Sequence, residues 1–320
     1  MDTNAPLAVV IGTGPLGLAV VHALLANGTR VRVVNHSGKA DVAGNVEVMG
    51  GDIGDLAFAR AVGRAAQSIF LCAKPPYLQM ADGVQPIMDG ALAAAAATGA
   101  KLIYADSLYA YGPFAGPLTE DVPYTATGRK GMARAHLATQ LMAAHTAGTV
   151  RATIGRASDF YGPGVTESVV GERVFGFALA GKAASVLGNL DVPHTYTFIE
   201  DFANGLVTLG THDQALGQTW HIPSAETVTT RAFVTLVFEA LGQPVKIQAA
   251  PRWLVSLLGI FDPTMRELTE TLYQSEQPFV MDCSKYERAF GASTTSHREA
   301  IRKTLDWYRQ KTGVIELAAT

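Results

Sequence analysis

Apolar and polar positions follow two rhythms along the first half of the chain. Short β-rich runs stand at 7–11 (LAVVI), 30–34 (RVRVV), 46–49 (VEVM), 68–72 (SIFLC), 101–105 (KLIYA) and 150–155 (VRATIG). Between most of them the pattern predicts helices at 15–27, 54–66, 83–99 and 128–147. Strand, helix, strand repeated in this way implies a parallel sheet covered on both faces. The runs at 7–11 and 68–72 are continuously apolar, as burial on two faces requires. After about residue 160 helical patterns dominate, at 167–181, 201–210, 229–241, 264–275 and 296–309, with short strands such as TYTFI between them. The predicted architecture is α/β: a Rossmann doubly wound parallel sheet with a smaller C-terminal substrate lobe. Residues 1–160 form the nucleotide-binding part, and 161–320 are mainly the lobe, interleaved with the sheet.

Composition narrows the function classes. The chain has 320 residues, 48% of them hydrophobic and 17% charged, which suits a large core and not a disordered segment. A formal charge of -3 gives no general pull toward nucleic acid or an anionic membrane. Cys72 and Cys283 stand far apart without metal-ligand spacing, so reduced thiols, a cytoplasmic location and no metal are expected. MDTNAPLAVV carries no basic region before its apolar run, so no signal peptide is expected. GALAAAAATGA (90–100) is too short to span a bilayer and reads as a helix packed closely on a neighbour.

The first strand runs into Gly12, Gly14 and Gly17, a G-x-G-x-x-G spacing that opens the first helix. Gly12 permits the tight turn, Gly14 lets backbone approach a pyrophosphate, and Gly17 lets helix and strand pack closely. Together with Pro15 and Leu16 they form the expected phosphate contact, at a helix N-terminus with free N–H groups. The second strand ends in Asn35, His36 and Ser37, followed by Lys39; the first acid beyond is Asp41. A carboxylate there repels a 2′-phosphate, and its absence favours NADP, with NAD still possible. The plainer reading of the same residues is a polar turn that leaves specificity open. Asp52 and Ile53 in GGDIGD are placed to flank the adenine, and Asp55 suits a helix N-cap. Ala73 and Lys74, in AKPPY after the fourth strand, belong to the loop expected over the cofactor.

The segments VVIGTGPLG, GGDIGD, YADSLYAYGP, LTEDVPY, GRASDFYGPGV, TFIEDFANGLVTL and TLDWY occur in order over nearly the whole length. With them the chain resembles the extended and atypical short-chain dehydrogenase/reductase superfamily, the group labelled NAD-dependent epimerase/dehydratase. The resemblance implies a Rossmann domain with a substrate lobe, an active site between them, and a homodimer built on helices around 84–99 and 130–147. It makes Ser107 the residue that orients a carbonyl and Lys130 the lysine that binds the nicotinamide ribose. The tyrosine expected four residues before that lysine is Ala126. Three ways to fill the vacancy stand open: Tyr124 folding back from a pre-helical loop, Tyr109 reaching in from the opposite loop, or a reaction that needs no tyrosine there. Each tyrosine reads equally well as an aromatic lining residue.

Nucleotide-sugar members of the family resemble R-x-x-N-x-Y-G-P after the sixth strand, and carry an arginine further on. Here Asp159 follows Arg156 in place of the asparagine, and His194 takes the place of the arginine. Both changes argue against a diphosphate. Asp159, Phe160, Tyr161, His194 and Tyr196, with Trp253, suit a compact aromatic or apolar substrate with one polar handle. Asp159 and His194 are also a candidate acid/base pair, although a structural histidine is the plainer reading. The leading reading is an NADP-dependent reductase of a carbonyl or conjugated enone. The second is an epimerase, isomerase or lyase with tightly held NAD(P), and the third a non-catalytic NADP-sensing protein.

Overall fold

The computed structural model describes residues 5–42, 44, 46–258 and 262–318. The first half follows the predicted order: β1 (Leu7–Ile11), α1 (Pro15–Ala26), β2 (Arg30–Asn35), β3 (Val46–Gly50), α2 (Leu56–Val62), β4 (Ser68–Leu71), α3 (Met80–Thr98), β5 (Lys101–Ser107), α4 (Arg129–Thr146) and β6 (Arg151–Ala157). Beyond them come β7 (Asp159–Tyr161), α5 (Phe175–Leu179), β8 (Ala184–Leu187), β9 (Pro193–His194), β10 (Tyr196–Phe198), α6 (Ile199–Thr211) and β11 (Thr219–His221). Helices α7 (Thr230–Ala240), α8 (Arg252–Leu258), α9 (Pro263–Thr269), α10 (Tyr273–Glu276), α11 (Ser284–Phe290) and α12 (His297–Ala318) complete the chain.

The central sheet runs β11-β6-β5-β4-β1-β2-β3, with every pairing parallel. Its strand order reverses between β1 and β4, the place where such sheets open a crevice at their carboxyl ends. The two-residue period divides each strand between two cores. Val9 and Ile11 of β1 join Ile69, Leu71 and Leu102 under α2, α3 and α4. Ala8 and Val10 join Phe70 and Ile103 under α1 and α6, with Phe202, Leu206 and Leu209. A third core holds the lobe, where Phe175, Phe233 and Tyr308 lie around Tyr161 and Phe198. The alanine run packs as expected: Ala91, Ala94 and Ala95 are buried, and a Cβ on Gly63 of the preceding segment would lie 2.8 Å from Ala94 O.

Two predicted helices are broken. Over 167–181 only α5 forms, because Gly171 is packed on Thr166 O and Glu172 donates back to that same carbonyl. Over 264–275 the chain stops after α9, where Thr271 N–H turns back on Leu268 O, and restarts as α10. Among the described residues no helix is long and apolar enough to cross a membrane, and no cluster of His, Cys, Asp or Glu could hold a metal.

Candidate active site

The phosphate loop separates the work of its glycines. Gly12 has φ +102, and a Cβ there would meet the Ala73 backbone at 2.7 Å. A Cβ on Gly17 would lie 2.0 Å from Gly12 O, so α1 and β1 touch where Gly17 stands. A Cβ on Gly14 would meet nothing within 4 Å. Gly14 is the N-cap of α1, with no side chain capping its first N–H groups, and Pro15 and Leu16 begin the helix. Open space, uncapped donors and the positive end of a helix are what a pyrophosphate needs. The residues present therefore fit a dinucleotide.

At the end of β2 the Asn35 amide is fully engaged. Its Nδ2 donates to Thr13 Oγ1 (2.9 Å) and Lys39 O (2.7 Å), and its Oδ1 accepts from Gly38 N–H (2.7 Å) and Ser37 Oγ (3.1 Å). Asn35 thus ties the turn to the phosphate loop, and leaves His36, Ser37 and Lys39 exposed on the rim. Asp52 accepts from Gly54 N–H in a local turn, Ile53 is buried, and Asp55 caps α2 through Ala57 and Phe58 N–H. Beyond β4, Ala73 lies against Gly12, while Lys74 pairs with Glu167 at 3.3 Å across the cleft.

At the other end of the cleft, β5 delivers Ser107, whose Oγ is buried and has no protein hydrogen-bond partner. Such an atom is costly unless a ligand satisfies it. Lys130 sits in the first turn of α4, 1% exposed, with its ammonium 3.8 Å from the Tyr77 ring centroid and 2.6 Å from Glu267 Oε2. Gly128 is the N-cap of α4, so the helix begins at Arg129 and residues 124–127 are free of helical spacing. That segment lies along the loop after β5: Thr125 Oγ1 donates to Tyr111 O (2.6 Å) and Ala126 N–H to Ala110 O (3.4 Å). Tyr124 turns toward Arg156, which donates from Nη2 to its hydroxyl (2.9 Å) and stacks over its ring. Tyr109 instead lines a small cavity of about 70 Å³ with Ala126, Gly128, Gly131, Glu270 and Tyr273. Burial, then the Asp159 carboxylate, push the Tyr109 hydroxyl well above the usual phenol range.

Asp159 of β7 and His194 of β9 meet in the lobe, with Nε2 2.9 Å from Oδ2. The other ring nitrogen faces Gln274 O at 3.1 Å. A carbonyl and a carboxylate both accept, so each contact is a hydrogen bond when the ring nitrogen facing it carries a proton. His194 packs on the Tyr196 ring, whose hydroxyl is buried against Thr230. Phe160 packs on Phe202. Tyr161 is fully buried in the lobe core, its hydroxyl on His297 Nδ1 (2.9 Å), and presents no face to a cleft. Trp253 on α8 is 67% exposed.

The sequence reading missed a buried polar chain beneath this site. Asp106 and Arg156 are register partners on β5 and β6, and Arg156 Nε donates to Asp106 Oδ2 at 2.9 Å. Arg134 approaches Asp106 Oδ1 (3.6 Å) and donates to Tyr104 Oη. On the far side Tyr111 Oη meets His221 Nε2 (2.8 Å), and His221 N–H donates to Glu120 Oε1 (2.8 Å). The available signal was an acid and a base each standing one residue past the end of a predicted strand. Tyr77, Glu267, Glu270 and Tyr273 left no such signal, because only the fold brings them to α4.

Residues 8–222 match the sequence model of the NAD dependent epimerase/dehydratase family. The chain belongs to that family. Proteins of known structure share the fold over nearly the whole chain. A dTDP-glucose 4,6-dehydratase from Bacillus anthracis, solved with NAD, superposes with TM-score 0.79 at 16% identity, over 97% of this chain and 98% of that one. An epimerase from Methanothermobacter thermautotrophicus gives 0.82 at 17%, over 98% and 94%. A UDP-glucuronic acid 4-epimerase from Bacillus cereus, also with NAD, gives 0.78 at 16%, over 95% and 97%. Identities this low speak for the fold alone. No curated protein matches the chain. Family membership makes it an enzyme of the short-chain dehydrogenase/reductase type with a nicotinamide nucleotide cofactor.

Proposed function

We propose that this member of the family is an NADP(H)-dependent reductase of a carbonyl or conjugated enone in a small, non-nucleotide substrate. One observation carries the reading: burial and the Asp159 carboxylate hold Tyr109 and Tyr273, the two phenols that line the cavity, in the neutral form. Epimerases and dehydratases that oxidise their substrate first must take a proton from a hydroxyl, which calls for a phenolate near neutral pH. Burial raises Tyr109 and Tyr273 instead, and Asp159 adds to both. A phenol held neutral gives protons rather than taking them. Ser107 Oγ would hold the substrate oxygen and Tyr109 would protonate it. The hydrogen-bonded Asp159 and His194 would bind the polar handle. The cofactor, when bound, supplies the hydride. Absence of a carboxylate from Asn35 through Ala40, with His36, Ser37 and Lys39 exposed, supports a 2′-phosphate at the rim.

A second reading has support in the names of the neighbours, which are epimerases and dehydratases solved with NAD. It is redox-neutral turnover with retained NAD. The discriminating measurement is cofactor consumption against a panel of aromatic enones and ketones. The reductase oxidises NADPH one for one with product and prefers it to NADH. Tyr109→Phe lowers kcat by about 10²-fold or more, while Tyr124→Phe stays within a few-fold. Product formation without net NADPH loss would establish the second reading instead.

A further inference from the structure

Lys130 is assigned to the nicotinamide ribose in the reading above, yet its ammonium is already saturated. It has three protons and three partners: Glu267 Oε2 at 2.6 Å, Glu267 O at 3.2 Å and the face of Tyr77 at 3.8 Å. A lysine 1% exposed cannot stand without a counter-charge, and Glu267 supplies it. Glu267 belongs to α9, part of a strap over residues 263–271 that meets the start of α4 through Glu267 and Glu270. The strap has a second anchor one turn away. Glu270 Oε1 accepts from Lys130 N–H at 2.8 Å, in the place where Gly128 has no side chain. A Cβ on Gly128 would lie 2.4 Å from the Glu270 side chain, so a glycine at that N-cap is what admits the strap. Two carboxylates from one segment thus take both polar groups that Lys130 offers, its ammonium and its amide.

Tyr77 fixes where this happens. It lies in the loop after β4, the loop whose Ala73 touches the Gly12 turn. The strap therefore closes the nicotinamide end of the same cleft that the phosphate loop opens. We infer that Glu267 is the resident counter-ion of Lys130, and that the nicotinamide cofactor binds by exchanging with it, releasing the strap from α4. This rests on the cofactor role proposed above for Lys130. Glu267 is a positioning residue: it holds the Lys130 ammonium oriented in the free protein and lowers the fraction of molecules ready to bind.

The test uses the full chain with NADPH as the probe, followed by its own fluorescence, and beside it the rate of reductive methylation of Lys130 by labelled formaldehyde. Glu267→Gln keeps an acceptor near the ammonium and removes the charge. The variant is expected to bind NADPH about fivefold or more tighter than the parent. Its association rate should rise linearly with NADPH, where the parent's levels off at the rate of strap release. Lys130 should methylate slowly in the parent and faster in the variant. In the unaltered protein, NADPH should speed amide exchange over residues 263–271. Equal affinity and equal Lys130 reactivity in the two proteins would overturn the inference, as would unchanged exchange over 263–271. If Lys130 is released in the variant but neither protein binds NADPH or NADH, the cofactor reading itself fails.

Discussion

His221 shows what a single side chain does in this site. Its Nδ1 faces Asp282 O at 3.0 Å and so carries the proton, leaving Nε2 to accept from the Tyr111 hydroxyl. Burial, then the Arg156 charge, push the imidazole down to about 3. The unfolded chain binds a proton near pH 6.5 that the folded chain refuses, so stability is complete above that pH and falls as the pH drops toward 3. The loss from this residue is on the order of 3–5 kcal/mol across the window. Glu120 and Asp201, both raised by burial, act with the opposite sign. The informative measurement is therefore a difference: urea denaturation of the parent and of His221→Gln between pH 4 and 7. The variant should be less stable at pH 7 and lose less on acidification; parallel pH profiles would contradict the neutral, buried imidazole.

At the scale of elements, the β1–α1 unit combines two demands that mutation can separate. Gly17 exists for packing, since any side chain there would strike the Gly12 carbonyl. Gly14 exists for access, since a methyl there meets only open space. Gly17→Ala is expected to lower thermal stability by several degrees, on the scale of 1–3 kcal/mol for a forced backbone contact. Gly14→Ala should melt with the parent yet weaken NADPH binding about tenfold or more, because the methyl stands where the pyrophosphate would come. Matching effects on stability and binding in both variants would refute this division. The strap is the same kind of case on the acid side: α9 is a short helix of little intrinsic stability, held by two carboxylate contacts to α4.

At the scale of the whole molecule, the two halves share one sheet. β11 comes from the C-terminal half and pairs with β6, and α6 supplies Phe202, Leu206 and Leu209 to cover the face beneath α1. Residues 1–160 alone would keep α1 but lose α6, leaving Phe70 and Ile103 uncovered on that side. Burying such side chains contributes roughly 1.5–3 kcal/mol each, and a domain's total margin is only about 5–15 kcal/mol. A 1–160 fragment should therefore bind a hydrophobic dye and lack a cooperative melting transition. A sharp transition in the fragment would show that the nucleotide-binding part folds independently.

The order of the first ten elements and the phosphate loop were legible because both rest on local rules. Continuous apolar runs mark strands buried on both faces, and a G-x-G-x-x-G spacing directly after such a strand marks the turn. The vacancy at Ala126 was legible too, from the helix that follows it. The fate of Tyr124 was not. Helix α4 begins at Arg129, so its spacing says nothing of what precedes it, and the ring goes to Arg156, a residue from the next strand. Nor could the chain's pattern reveal the partners of Lys130. Glu267 and Glu270 are more than 130 residues away, on a segment where the periodic reading ran one helix through a real break. Local sequence determined the sheet, its crevice and the anion-binding turn, since those depend on backbone geometry and burial between near neighbours. Only the tertiary structure decided which hydroxyl lines the cavity and which carboxylate holds the lysine, because charge pairing acts through space.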